Sequence, residues 1–212
     1  LYPGQDPLTE AQVLRLPAES PLPCIITCRA AAEGGGYDGP EADRVALYER
    51  LGNAFGEGES PPRYLDLELA SWERSANLRQ KVRLAINHPE QHRDLKTSLI
   101  LSLHDFQGRP ADLHRRVSRL AAEADASVVK VAYRARSLRD ALELLDLPAL
   151  LRRPTIALGM GEFGLLTRVL APKFGGFLTF ASLRPASATA PGQPTIRDLL
   201  GLAADDSIPP RS

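Results

Sequence analysis

Two short apolar runs carry residue types suited to chemistry. Ser102-Leu103-His104-Asp105-Phe106 places a histidine at the end of a predicted strand, and Val128-Val129-Lys130-Val131-Ala132 buries a lysine within another. Of the 26 Lys and Arg side chains, only Lys81, Lys96, Lys130 and Lys173 are lysines. A chain that fills its solvated cationic positions with Arg, yet sets Lys130 among valines, needs an amine there. Desolvation disfavours the charged form of a lysine and lowers its pKa. A neutral amine adds to a carbonyl and forms a Schiff base, which a guanidinium cannot do. Histidine is the usual proton carrier for such a step. Taken alone, Lys130 also reads as a strand lysine that snorkels to solvent, and His104 as a capping histidine. The scarcity of Lys and the end-of-strand position of His104 favour the chemical reading. His88, His92 and His114 lie in polar helical stretches and read as solvated.

Positioning such groups takes a scaffold, and the pattern alternates strand and helix. Strands are predicted at 24–29, 63–69, 98–104, 127–133, 155–160 and 177–182. Helices are predicted at 41–55, from Ser71 onward, and at 110–123, 137–151, 162–170 and 194–202, with one more short helix before Ala18. Six strands alternating with helices argue for a parallel α/β fold. Along the strands, Tyr64, Asp66 and Glu68 alternate with Leu65, Leu67 and Leu69, while Ser98, Ile100, Ser102 and His104 alternate with Leu99, Leu101 and Leu103. Val128, Lys130 and Ala132 likewise oppose Val129 and Val131. Polar groups sharing one face suit a (β/α)₈ TIM-barrel lumen. No G-x-G-x-x-G follows the first strand, which argues against a dinucleotide domain.

Bulk composition narrows the partners. With 26 acidic and 26 basic residues the formal charge is zero, so neither nucleic acid nor an anionic membrane surface is expected. No apolar run reaches the roughly 18 residues a bilayer span requires. Cys24 and Cys28, the only two cysteines, share a predicted strand four residues apart and read as reduced thiols of a cytoplasmic protein. Asp66 and Glu68 are weighed as a metal pair against a structural ion pair. No His or third carboxylate stands at useful spacing, so no metal is expected. Gly34-Gly35-Gly36 lacks the following Lys-Ser/Thr of a phosphate-binding loop and reads as a mobile loop near the site.

In order, the chain carries Thr27-Cys28-Arg29 with Glu33-Gly34-Gly35, Asp66-Leu67-Glu68, Ser102-Leu103-His104-Asp105-Phe106 and Lys130-Val131-Ala132. Met160-Gly161 with Thr167-Arg168 and Thr189-Ala190-Pro191-Gly192-Gln193 complete the series. Each motif is weak alone, but together they resemble the type I 3-dehydroquinate dehydratases, the Schiff-base barrels of the shikimate pathway. The resemblance runs from Ile25 to Leu200. It implies that Lys130 forms the imine, His104 is the acid/base, and Glu33 holds the histidine. It further implies that Arg168 binds the substrate carboxylate, Arg29 and Gln193 bind its hydroxyls, and Met160, Phe106 and Phe180 form apolar walls. Thr189 stands where the family has Ser, a mild departure because both carry a hydroxyl.

The larger departure is at the front, where the family has two further strands, the second with a Glu-x-Arg pair. The expected architecture is therefore an N-terminally truncated barrel of six parallel strands over 1–204, with 205–212 as tail or linker. Six strands leave open edges, so poor activity and aggregation are expected of residues 1–212 as they stand. The resemblance implies 3-dehydroquinate as substrate, no cofactor, and room for a homodimer and a fused or neighbouring shikimate dehydrogenase. Two alternatives stay open: an inactive remnant or regulatory binding module, motivated by the missing front strands, and a different imine-forming aldolase-type barrel.

Overall fold

The structure, a computed structural model, describes residues 8–89, 91 and 96–203. His92 and the tail at 205–212 lie outside the described residues. Five strands form one sheet in chain order: β1 (Ile25–Thr27), β2 (Tyr64–Glu68), β3 (Ser98–Asp105), β4 (Ala126–Arg134) and β5 (Thr155–Met160). The pairs β1·β2, β2·β3 and β4·β5 are parallel. The crossovers carry α2 (Glu41–Gly52), α3 (Leu69–Arg74), α4 (Ala76–Ile86), α5 (Leu113–Ala122) and α6 (Leu138–Leu151). α1 (Glu10–Glu19) precedes the sheet, and α7 (Leu165–Val169) and α8 (Ile196–Ala203) follow it. Parallel strands require such crossovers. The chain divides into two compact units, described in turn.

Among the described residues, the first unit holds 8–102 with Ala124–Ser127. Its core is built from Leu65, Leu67, Leu99 and Leu101 on the strands, and from Val45, Tyr48, Leu51, Trp72, Val82 and Ala85 on the helices, all buried. α2 packs on α4, and α3 on both α4 and β2. Thr27 is level with Asp66, and Glu68 with Ser102, so the polar positions of neighbouring strands share rows. The helix expected to open at Ser71 instead starts at Leu69, straight off β2, and breaks at Ser75, which is extended at φ −154°. Serine competes poorly inside helices and well at their ends, and Ser71 itself is buried within α3.

Among the described residues, the second unit holds Leu103–Glu123 and 128–203. β5 is buried at every residue and is covered by α6 and α7. Ser137 caps α6 through its side chain, and Lys130 is level with Ile156 on β5. The expected helix at 162–170 divides into a 3₁₀ turn, Glu162–Gly164, and α7. The expected sixth strand at 177–182 does not form. Phe177 N donates to Thr155 O at 2.8 Å, as a sixth strand would begin. Thereafter Phe180 O is taken by the Arg168 side chain at 2.8 Å, and Ser182 bridges to Thr195 instead. With Phe180 O and Ser182 committed elsewhere, the segment has no continuous ladder to extend.

Candidate active site

In the first unit, Arg29 leaves β1 among carboxylates. Its Nη2 donates to Asp66 Oδ1 at 2.7 Å, and its Nη1 donates to Ser102 Oγ at 2.8 Å and lies 3.1 Å from Glu68 Oε1. Ser102 Oγ in turn donates to Asp66 Oδ1 at 2.6 Å. Burial works against the Arg29 charge, but Asp66 and Glu68 outweigh it, and the pKa of Arg29 is raised. The chain then folds back on this arginine. Ala31 N donates to Tyr37 O, Tyr37 N to Arg29 O, and Gly35 N to Ala30 O. A Cβ on Gly35 would lie 2.0 Å from Arg29 O, so only glycine fits there. Glu33 closes the 3₁₀ turn Ala31–Glu33 inside this loop. Of the glycine run, Gly35 packs against the Arg29 backbone, Gly34 ends the turn in a left-handed conformation at φ 78°, and Gly36 stands clear of other groups.

Sequence reasoning overlooked Arg44. It belongs to the buried face of α2 with Val45, Tyr48, Leu51 and Gly52, and it is only 1% exposed. Its Nη1 donates to Glu68 Oε2 at 2.6 Å and Cys28 O at 2.7 Å, and its Nη2 to Glu41 Oε1 at 2.6 Å and Ser71 Oγ at 2.5 Å. The signal was present: an arginine on the apolar side of an amphipathic helix demands a buried carboxylate. Asp66 and Glu68 therefore sit in ion pairs, as one of the two readings of that pair expects. Cys24 and Cys28 are free thiols flanking β1, and burial pushes the Cys28 pKa up.

The second unit gathers two cations on one aromatic residue. Lys130 is 7% exposed in the middle of β4, and its Nζ lies 4.5 Å from the centre of the Phe180 ring, within cation–π range. Phe180 O accepts from Arg168 Nη1. Arg168, 2% exposed, also reaches Gly159 O at 3.3 Å. Its partners are carbonyls, and no carboxylate among the described residues pairs with it. Burial alone lowers its pKa to about 10, which leaves it charged at neutral pH. A buried, charged guanidinium without a counter-ion has the chemistry to accept an anion.

The seat of Arg168 is built by two glycines. Gly164 packs so tightly on Gly159 that a Cβ on Gly164 would lie 2.3 Å from Gly159 O. Thr167 Oγ1 accepts from Gly159 N at 2.8 Å and donates to Gly164 O at 2.7 Å, fixing the first turn of α7. Met160 ends β5 and is buried. Gly161 N donates to Pro191 O at 2.9 Å, which ties the Thr189–Gln193 loop to that strand end. Within the loop, Gln193 Oε1 accepts from Thr189 N and Oγ1 at 2.9 and 3.0 Å. His104 and Phe106 flank Asp105 at the end of β3, and Asp105 Oδ1 turns the chain by accepting from Gln107 N and Gly108 N.

The structure thus joins Arg29 and Glu33 at one turn, Lys130 and Arg168 on Phe180, the first over its ring and the second at its carbonyl, and Met160 with the Thr189–Gln193 loop. Apart from Lys130, these groups lie at or after the C-terminal ends of their strands, where parallel β/α folds build their sites.

The class these features define is a parallel β/α-barrel enzyme. The chain belongs to the type I 3-dehydroquinase family, whose model matches residues 5–205, and is by family a lyase. It is 37% identical over 186 residues to the chloroplastic bifunctional 3-dehydroquinate dehydratase/shikimate dehydrogenase of Arabidopsis thaliana, covering 87% of this chain and 28% of that protein. It is 33% identical to the 3-dehydroquinate dehydratase of Methanosarcina mazei, covering 88% of this chain and 74% of the relative. Among solved structures, the 3-dehydroquinate dehydratase of Geobacillus kaustophilus superposes with a TM-score of 0.71 at 28% identity, covering 92% of this chain and 73% of that one. No helix among the described residues is long and apolar enough to cross a membrane.

Proposed function

We propose that this chain dehydrates 3-dehydroquinate to 3-dehydroshikimate through an imine on Lys130. The observation that carries the reading is Arg168, a buried cation without a carboxylate partner among the described residues, joined to Lys130 through Phe180. A substrate with a carboxylate and a ketone answers both groups, the guanidinium taking the carboxylate and the amine of Lys130 the ketone.

The amine of Lys130 adds to the C3 ketone, and loss of water leaves a protonated imine, an electron sink that acidifies C2. His104 removes the C2 proton, giving an enamine. As the enamine returns its electron pair, the C1–O bond breaks, and His104 delivers its proton to the departing hydroxyl, which leaves as water. A second water hydrolyses the imine and frees the product and Lys130. Glu33 orients His104. Arg168 holds the carboxylate by a two-pronged, charge-assisted contact. Arg29 and Gln193 bind substrate hydroxyls with Thr189 beside them, and Met160, Phe106 and Phe180 exclude water.

The dehydratase domain is read as 1–204. The free thiols Cys24 and Cys28 support a cytoplasmic setting. The Arabidopsis relative, in which both activities are fused, supports a shikimate dehydrogenase as fused or neighbouring partner.

The test compares 3-dehydroquinate with its methyl ester, following the conjugated enone of the product by ultraviolet absorbance. The acid is expected to be turned over, and the ester to show a KM raised at least about tenfold. No enone from either compound, or equal use of both, overturns the reading.

A further inference from the structure

We propose that Arg44, outside the residues that would touch substrate, is a positioning residue for Arg29 and for the turn carrying Glu33, and that it acts through Glu68. The inference rests on the functional reading above only for its kinetic consequences. Its structural content lies within the first unit.

Glu68 is 1% exposed at the end of β2 and has two working oxygens. Oε2 faces Arg44 Nη1 at 2.6 Å. Oε1 accepts from Ala30 N at 2.9 Å and lies 3.1 Å from Arg29 Nη1. One carboxylate thus grips the guanidinium of Arg29 and the first backbone N–H after it, from which the Ala31–Glu33 turn departs. What fixes that carboxylate from behind is Arg44. Its second Nη is held by Glu41 Oε1 and Ser71 Oγ, and Nη1 also reaches Cys28 O, the carbonyl preceding Arg29. Arg44 therefore touches the β1 exit twice, directly at Cys28 and through Glu68 at Arg29 and Ala30.

A purely structural arginine at this place would need only charge balance. The geometry gives more, because the planar fork engages four separate acceptors on α2, α3, β2 and the β1 exit. A lysine supplies a point charge without that fork. Without Arg44, Glu68 would remain buried and would turn more fully to Arg29, drawing the guanidinium out of its pose toward Asp66 and Ser102.

The experiment compares Arg44→Met, Arg44→Lys and Glu68→Gln in the full chain, reading KM, kcat and the slowly exchanging guanidinium N–H resonances of Arg29. The expected result for folded Arg44→Met is loss of those resonances, a KM raised about tenfold through Arg29, and a kcat lowered by more than about threefold through the turn carrying Glu33. Arg44→Lys is expected to recover part of the KM. Combining Arg44→Met with Glu68→Gln is expected to add less than about threefold, because both act on one link. If Arg44→Met does not fold, Glu68→Gln carries the test alone, since Arg44 then keeps Glu41 and Ser71. Unchanged Arg29 resonances and KM in the folded variants, or a lowered melting temperature as their only effect, overturn the proposal. A wild-type chain that fails to turn over 3-dehydroquinate would defeat the functional reading instead, and the Arg29 resonances would still decide the role of Arg44.

Discussion

Arg168 carries a charge that only backbone carbonyls meet among the described residues. Such a group costs the fold stability, and under the proposed function it serves the substrate carboxylate, so its removal should separate stability from binding. Arg168→Met is expected to melt at or above the wild-type temperature in a thermal scan, while KM for 3-dehydroquinate rises by the equivalent of about 2–5 kcal/mol. Arg168→Lys should restore only part of that binding because the fork is lost. A variant that is less stable yet binds normally would show that Arg168 serves the core. His104 bears on a different step. His104→Ala is expected to lose about 10²–10⁴-fold in kcat while still forming the imine. Near-normal turnover would mean that another group moves the proton.

At the scale of elements, the seat of α7 decides where Arg168 points. Gly164 rests on the backbone of Gly159, and Thr167 ties the turn to both. Gly164→Ala must push α7 away from β5. It is expected to cost about 1–3 kcal/mol in denaturant unfolding and to raise KM together. Unchanged stability would mean that the turn relaxes without strain. These elements were unevenly legible. β5 lies where its apolar run predicts, 155–160, because its signal is local and bounded by Pro154 and Gly161. The run at 177–182 has comparable β-propensity but is not a strand, because the Arg168 side chain takes Phe180 O and Thr195 pairs with Ser182. Neither competitor is visible from the propensity of the run itself. The break between α3 and α4 at Ser75 was missed likewise, since Ser71 resembles a cap until its contact with Arg44 is seen.

For the whole molecule, the parallel α/β class and the family were readable from ordered motifs at strand ends, each short and each tied to a strand. The ion-pair network behind them was not, because Arg44, Glu68 and Arg29 meet only through tertiary packing. Charge balance has its own consequence at this scale. With a formal charge of zero and a pI near 7.1, solubility of the chain should pass through its minimum close to neutral pH and rise on either side. A minimum displaced by more than about 1.5 pH units would show that several side chains do not carry their ordinary charges.

The central claim is that Lys130 forms the covalent intermediate, and it can be read from one peptide map. The full chain is incubated with 3-dehydroquinate, reduced with borohydride, digested and weighed. The adduct is expected on the peptide containing Lys130, and to be absent from the Lys130→Met variant. An adduct on Lys81, Lys96 or Lys173 with Lys130 unmodified, or turnover with no trapped adduct, would contradict the account.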